Sequence, residues 1–322
     1  MGAKSIAVLT SGGDAPGMNA AVRAVVRSAI DAGMTVYGVK RGYNGLLHKD
    51  LVELKLRSVS DIIQDGGTVL FTARSPEFNT PEGVAKAAQN CKEMGIDGVV
   101  VIGGDGSFRG ARDLTNAGVL CIGMPGTIDN DIACTDFTIG YDTALNTAME
   151  MIDRLQDTSE SHDRCSVVEV MGRHCGDIAL QVGIATGAVA TLVPEVPYDF
   201  QKDIVDRIGK VQATGKNHFI VVVAEGVGHT EELARRIETE TGIESRATIL
   251  GHVQRGGHPT LRDRVLAGRM GYHAVKLLEQ GKGNRVVAVK GDTIVDYDIT
   301  EALDMPRVFD EKLLDISKRL SL

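Results

Sequence analysis

The sequence predicts an α/β protein built as two halves in contact, each a parallel sheet packed with helices. Three observations carry this prediction. Short β-rich runs alternate with amphipathic windows from one end of the 322-residue chain to the other, the pattern of repeated strand–helix–strand units. Several runs, GVVVI and FIVVVA among them, are apolar at every position, as strands covered on both faces must be. The length suits two domains of about 100–200 residues each, and no low-complexity linker separates them.

Taken in order, strands are expected over residues 5–10, 35–39, 98–102, 120–124, 166–171, 192–194, 219–224 and 285–289. Helices are expected over 19–32, 81–94, 143–157 and 262–280. In the last of these, Val265, Met270, His273, Ala274 and Leu277 trace an apolar stripe at helical spacing. The nearest thing to a seam follows Thr138, where IGYDTALN opens a long helix. A ligand of such a molecule belongs at the carboxyl ends of the strands, in the crevice between the halves.

Composition removes several classes of function. The 38 glycines have no collagen period, and 43% hydrophobic residues exclude disorder. A net charge of −8 and a pI near 5.5 give no general attraction to nucleic acid or anionic membrane. Aromatic residues make up only 4% and do not alternate with basic ones, which argues against base-stacking platforms. Cys91, Cys121, Cys134, Cys165 and Cys175 form no CxxC pair, as expected of buried thiols in a reducing compartment. The opening MGAKSIAVLT runs straight into a strand rather than a signal peptide, and no apolar run approaches the roughly 20 residues of a membrane span. The expected location is the cytoplasm.

The glycine surplus collects in loops that follow strands and precede helices. TSGGDAPGMN, IGGDGS, MPGTIDND and VMGRH are four such loops. Glycine lets backbone approach a ligand closely, and the helix N-terminus that follows offers free N–H groups and partial positive charge to a phosphate. Asp105 sits among such glycines. A carboxylate there repels phosphate unless a cation lies between them, so Asp105 reads as a Mg²⁺ ligand; a helix N-cap is the competing reading. Thr127, Asp129, Asn130 and Asp131 place two carboxylates, an amide and a hydroxyl within five residues, enough for a base and its orienting partner. Arg74, Arg164, Arg173, Arg246, His252 and Arg255 supply the forks and cations that suit a phosphorylated substrate. No Walker P-loop occurs, and GGDGSFRG spaces its glycines differently from the dinucleotide fingerprint. HExxH, GxSxG and paired CxxC motifs are also missing.

In this order and spacing, TSGGDAPGMNAAVR, IGGDGS, PGTIDNDI, VVEVMGR and LGHVQRGG resemble the bacterial ATP-dependent 6-phosphofructokinases, from about Ile6 to Phe309. The resemblance implies two similar three-layer α/β/α domains with mainly parallel sheets and the active site in the cleft between them. Residues 1–140 plus 254–305 would bind ATP, and 141–253 plus 306–322 would bind fructose 6-phosphate. By motif, Gly13, Tyr43, Arg74, Ser75, Gly104, Asp105, Gly106, Ser107 and Gly110 fall at the MgATP site, with Asp105 on the metal. Asp129 matches the base that takes the sugar hydroxyl proton, Thr127 lies at the transferring group, and Arg173 stabilises its charge. Met171, Gly172, Glu225, His252 and Arg255 match the sugar-phosphate site. Arg164 and Arg246 match arginines that reach this site from a neighbouring subunit, which implies a homotetramer.

Donor and regulation follow from departures within the resemblance. Pyrophosphate-using relatives carry Asp where this chain has Gly106 and Lys where it has Gly126, so two glycines favour ATP. Arg23, Arg27, Lys216 and His218 match an effector site for a polyanion. Gln156, Val189, Thr214 and Asn217 replace its usual charged residues, which implies weak or altered effector control. The alternatives are a pyrophosphate-dependent enzyme of the same fold, an NAD or lipid kinase sharing only the GGDG loop, and a non-catalytic sensor. The sensor reading expects loss of Asp105 or Asp129, and both are present.

Overall fold

Uninterrupted Val and Ile runs become strands that neither face exposes to water. The computed structural model describes residues 2–321. In chain order the elements begin with β1 (Ser5–Ser11), α1 (Met18–Asp31), β2 (Thr35–Val39), α2 (Tyr43–His48) and β3 (Leu51–Leu54). Next come α3 (Pro81–Glu93), β4 (Gly98–Gly103), α4 (Asp105–Asn116), β5 (Leu120–Pro125) and the long α5 (Tyr141–Ser161). They continue with β6 (Cys165–Val170), α6 (Asp177–Ala185), β7 (Ala190–Leu192), α7 (Asp206–Gln212), β8 (Phe219–Ala224), α8 (Thr230–Thr241) and β9 (Ser245–Ile249). The last are α9 (Leu261–Glu279), β10 (Arg285–Lys290), β11 (Thr293–Asp298), α10 (Ile299–Asp304) and α11 (Glu311–Leu320).

Two units emerge. The first comprises Met1–Ile128, Ile132–Thr143 and Arg255–Arg307; the second comprises Asp129–Asp131, Ala144–Gln254 and Val308–Leu322. The first unit holds a seven-stranded sheet in the order β11-β10-β5-β4-β1-β2-β3. Its inner pairs are parallel, and only the outer pairs β2–β3 and β10–β11 are antiparallel. On one face, Leu9, Val99, Val101, Cys121 and Val286 pack with Cys91 of α3 and Phe108, Ala111 and Leu114 of α4. The alternate residues Ile6, Val8, Val100, Ile102 and Ile122 are equally buried, beneath α1 and α9. Those two helices touch closely, since a Cβ on Gly271 would lie 2.6 Å from Ala24 Cβ.

The second unit's sheet has four strands, β7-β8-β6-β9, all parallel. Val167, Val221 and Val223 face Leu233 and Ile237 of α8 and Ile204 and Ile208 around α7. Ser166, on the other face, shares a 2.7 Å hydrogen bond with Ser159 of α5. Both units are therefore layered α/β structures, though with seven strands against four.

Three strands fall outside the expected set: β3, β9 and β11. Each is the edge of its sheet, pairs on one side only, and carries polar residues that interrupt the apolar run. The strand expected at 192–194 is centred earlier, at Ala190–Leu192. All five cysteines are buried, and none is in a disulfide. Burial pushes the thiols of Cys91 and Cys134 up to about 11, and those of Cys121 and Cys165 to about 12, so none of these four is a nucleophile near neutrality. Among the described residues no helix is long and apolar enough to cross a membrane.

Candidate active site

In the first unit, three strand ends bring their loops together. β1 ends at Ser11, and the chain turns through Gly12, whose φ of 88° suits only a residue without a side-chain clash. The Gly12 carbonyl accepts the Thr72 hydroxyl at 2.6 Å, which brings the segment carrying Arg74 and Ser75 alongside. Arg74 is exposed, and the Ser75 hydroxyl is buried with no hydrogen-bond partner among the described residues. Arg255 lies over Gly13: its Nη1 donates to the Asp14 carbonyl at 3.1 Å, and a Cβ on Gly13 would come within 2.7 Å of the guanidinium.

β4 runs into α4 through Gly103 and Gly104, so Asp105 occupies the first helical position. Gly103 is packed tightly, because a Cβ there would lie 2.4 Å from both Ser107 Oγ and the Ser11 carbonyl. Gly104 is open, since a Cβ there would first meet Thr127 Cβ at 3.9 Å, and a Cβ on Gly106 would meet no atom of another segment among the described residues within 4 Å. The first turn of α4 thus starts at two glycines with open space on their Cβ side, next to Thr127, and a helix N-terminus so exposed suits an anion. The Asp105 carboxylate is half-exposed and lies 3.0 Å from Arg109 Nε one turn along.

Tyr43 serves this turn from beneath. It is buried, stacks on Phe78 at 4.0 Å between centroids, and donates its hydroxyl to the Ser107 carbonyl at 2.5 Å. Burial raises its phenol well above the usual value, so it stays a neutral donor. Gly110 is what lets the ring in, because a Cβ there would meet Tyr43 Cε2 at 2.7 Å. Ser107 itself is buried. Tyr43, Ser107 and Gly110 therefore shape the α4 turn rather than line open space.

The third loop follows β5. The Gly126 N–H bonds the Gly103 carbonyl at 2.9 Å, and the Thr138 hydroxyl donates to the Thr127 carbonyl at 2.6 Å, so both residues are anchored. A Cβ on Gly126 would lie 2.9 Å from Ile102 Cγ2 and 3.4 Å from Met18 Cε. A side chain there would push against Ile102 and Met18, whereas the space at Gly106 is open.

The second unit holds its own cluster of charged groups. Asp129 is almost wholly buried, and Arg173 Nε lies 3.2 Å from its Oδ2; Asp131 is 4.0 Å from Arg173 Nη1. The arginine provides the positive charge that a carboxylate so deeply buried requires. Both segments are bent unusually. Asn130 has φ 50° and Arg173 φ 56°, conformations that non-glycine residues hold only when their surroundings fix them. Asn130 Nδ2 donates to Asp177 at the start of α6, 3.2 Å away. Glu225, at the end of β8, accepts the N–H groups of Gly172 at 3.1 Å and Arg173 at 2.5 Å. Gln254 accepts the Met171 N–H at 2.8 Å. His252 stands exposed on the 3₁₀ turn Gly251–Arg255.

Arg164 and Arg246 converge on one carboxylate. Glu244 lies 2.8 Å from Arg164 Nε and 2.6 Å from Arg246 Nη2, and hydrogen bonds from these two arginines hold its carboxyl below the usual range. Arg23 and Arg27 stand on α1 in the first unit, and Lys216 and His218 precede β8 in the second. Val189 is buried, and its carbonyl accepts from Arg207 Nε at 3.0 Å, so an apolar core occupies that position. Reading the sequence missed Glu244, Gln254 and Asp177. Each is one polar residue in a turn, at a helix start or beside a strand end, and its partners Asn130, Met171 and Arg164 come from distant parts of the chain. Among the described residues no group of three His, Cys, Asp or Glu side chains could hold a metal.

A parallel sheet with phosphate-type loops and a buried carboxylate beside an arginine describes a sugar or nucleotide kinase. The phosphofructokinase model matches residues 5–278, and the chain belongs to that family. It is similar to the ATP-dependent 6-phosphofructokinase of Clostridium botulinum, 57% identical over 318 residues that cover 99% of both chains. Among solved structures it resembles the phosphofructokinase of Saccharomyces cerevisiae at a TM-score of 0.87 and 38% identity. That match covers 93% of this chain and 45% of the yeast one, so the chain spans less than half of the yeast length. The pyrophosphate-dependent phosphofructokinase of Marinobacter aquaeolei shares the fold, with a TM-score of 0.84 at 22% identity, over 98% of this chain and 91% of that one.

Proposed function

We propose that this protein transfers the γ-phosphoryl group of ATP to the 1-hydroxyl of fructose 6-phosphate, giving fructose 1,6-bisphosphate and ADP, a glycolytic step in the cytoplasm. The observation that carries the reading is Asp129, a buried carboxylate two residues beyond Thr127 and 3.2 Å from Arg173. As the sugar oxygen bonds to the γ-phosphorus, its proton passes to Asp129, and the bond from γ-phosphorus to the bridging oxygen breaks to release ADP. Arg173 is placed to move from the carboxylate to the oxygens of the transferring group. Thr127 and the first turn of α4 hold the phosphates by hydroxyl and N–H. Asp105 fits Mg²⁺, which commonly takes one carboxylate and completes its shell with phosphate and water; the ion would neutralise phosphate charge. Met171, Gly172, Glu225, His252 and Arg255 are assigned to the sugar phosphate.

Gly106 favours ATP over pyrophosphate, because the space beside it is open where an Asp side chain would stand. Arg164 and Arg246 are assigned to a neighbour's sugar-phosphate site in a homotetramer. The reading is supported by Arg246 on the edge strand β9 with Ile249 and Val253 exposed nearby in sequence. A coupled assay with fructose 6-phosphate, run with ATP or pyrophosphate and with or without Mg²⁺, tests the function. Turnover is expected with ATP and Mg²⁺ only. Turnover with pyrophosphate would overturn the donor, and none with either would leave a sensor.

A further inference from the structure

Gln254 sits between the exposed Val253 and the half-buried Arg255, yet its own side chain is completely buried. Its Oε1 accepts the Met171 N–H at 2.8 Å, where β6 ends and the segment carrying Arg173 begins. Its Nε2 is also buried, and no acceptor among the described residues lies within hydrogen-bond distance. A buried amide donor without an acceptor destabilises the fold, and methionine would fill the same volume without that cost. Packing alone therefore favours a hydrocarbon here. What the amide adds is an acceptor for Met171.

That acceptor completes a set. Met171, Gly172 and Arg173 are consecutive, and each of their three N–H groups is held by a side-chain oxygen from outside the segment. Gln254 takes the first and Glu225 the next two. The backbone so fixed turns through φ 139° at Gly172 and 56° at Arg173, and delivers the guanidinium to Asp129. We propose that Gln254 is a positioning residue for phosphoryl transfer: its Oε1 fixes the first N–H of the segment, and it acts through Arg173. The inference rests on the role assigned to Arg173 above.

Four variants test it: two at Gln254, Arg173→Ala, and Gln254→Met combined with Arg173→Ala. Gln254→Met removes the acceptor and the orphaned donor together; Gln254→Glu keeps an acceptor oxygen but buries a charge. If the acceptor matters, activity and stability part company. Gln254→Met is expected to melt no lower than Gln254→Glu yet lose about tenfold in kcat, the worth of one hydrogen bond, with KM for MgATP unchanged within about twofold. Gln254→Glu is expected to be less stable and more active than Gln254→Met. In an Arg173→Ala background, Gln254→Met is expected to cost nothing further. The proposal is overturned if activity simply follows stability across the two variants, if Gln254→Met keeps full kcat or fails to fold, or if the Met and Ala losses multiply. A normal kcat in Arg173→Ala alone would instead overturn the assignment of Arg173.

Discussion

Asp129 and Gly106 act in opposite ways, one by the group it carries and the other by the space it leaves. Asp129 is a buried carboxylate whose visible charge partner is an arginine, so an amide in its place keeps the shape and removes the base. Asp129→Asn is expected to lower kcat by at least about 100-fold, the usual contribution of a general base, while KM for either substrate changes only a few-fold. Steady-state kinetics on both substrates would show it. Gly106 has no neighbour to clash with, so Gly106→Asp is expected to fold normally and melt close to the parent. The new carboxylate would stand beside the anion site, and KM for ATP is expected to rise about tenfold or more, as for one uncompensated charge contact. An unchanged KM for ATP would remove the steric argument for the donor. Substitution at Gly126 is a poorer probe, because its Cβ meets Ile102 and would disturb the core first.

Helix ends are where the elements are fixed, and two of them carry predictions. The first turn of α4 rests on the Tyr43 ring, which Gly110 admits; Gly110→Ala pushes a methyl into Tyr43 and Phe78 and is expected to cost about 1–3 kcal/mol by overpacking. Urea unfolding would measure it. The start of α5 is held by Asp263 near the start of α9, whose oxygens accept the N–H groups of Gly140 at 2.9 Å and Thr143 at 2.8 Å, plus the Thr143 hydroxyl. Burial pushes the Asp263 carboxyl up from 3.8 to about 6, against the opposing pull of those three hydrogen bonds. A carboxyl whose folded value lies above its unfolded one stabilises the fold fully below about 3.8, and that contribution is lost as pH rises through about 6. The difference in unfolding free energy between the parent and Asp263→Asn is therefore expected to fall across this window, by on the order of 3 kcal/mol. A difference that stayed flat with pH would show that the three donors cancel burial, and one that rose with pH would show that they outweigh it.

At the scale of the whole molecule, the interior of each sheet was legible in the sequence, and of the four edge strands only β7 was expected, slightly displaced. GVVVI and FIVVVA have no polar position and can only be central strands, whereas LVEL, SRATI and TIVDYD are edges, where one side of the strand meets water and the apolar pattern dissolves. The site divides in the same way. Loops such as GGDG and TIDND advertise their chemistry by composition. Gln254 and Glu244 look like ordinary turn residues until the fold brings Met171, Arg164 and Arg246 to them. Regulation belongs to this scale too. With Val189 in the core and Gln156, Thr214 and Asn217 uncharged, phosphoenolpyruvate or ADP is expected to shift half-saturation for fructose 6-phosphate by less than about fivefold, the low end of common allosteric couplings. Strong sigmoidal inhibition by phosphoenolpyruvate that ADP relieves would contradict this.

The interleaving of the two units also governs how the molecule is made. The backbone passes between them at Ile128, Asp131, Thr143, Gln254 and Arg307. The second sheet is encoded in one stretch, from Cys165 to Ile249, and has all its strands as soon as the ribosome has passed that point. The first sheet starts with the earliest residues, but the outer side of β5 waits for β10, which is not translated until Arg285–Lys290. At about 5–20 residues per second, that edge stays unpaired on the nascent chain for many seconds after β5 emerges. The sheet that begins first is therefore the one that closes last, and β5 is the strand a chaperone has most reason to shield.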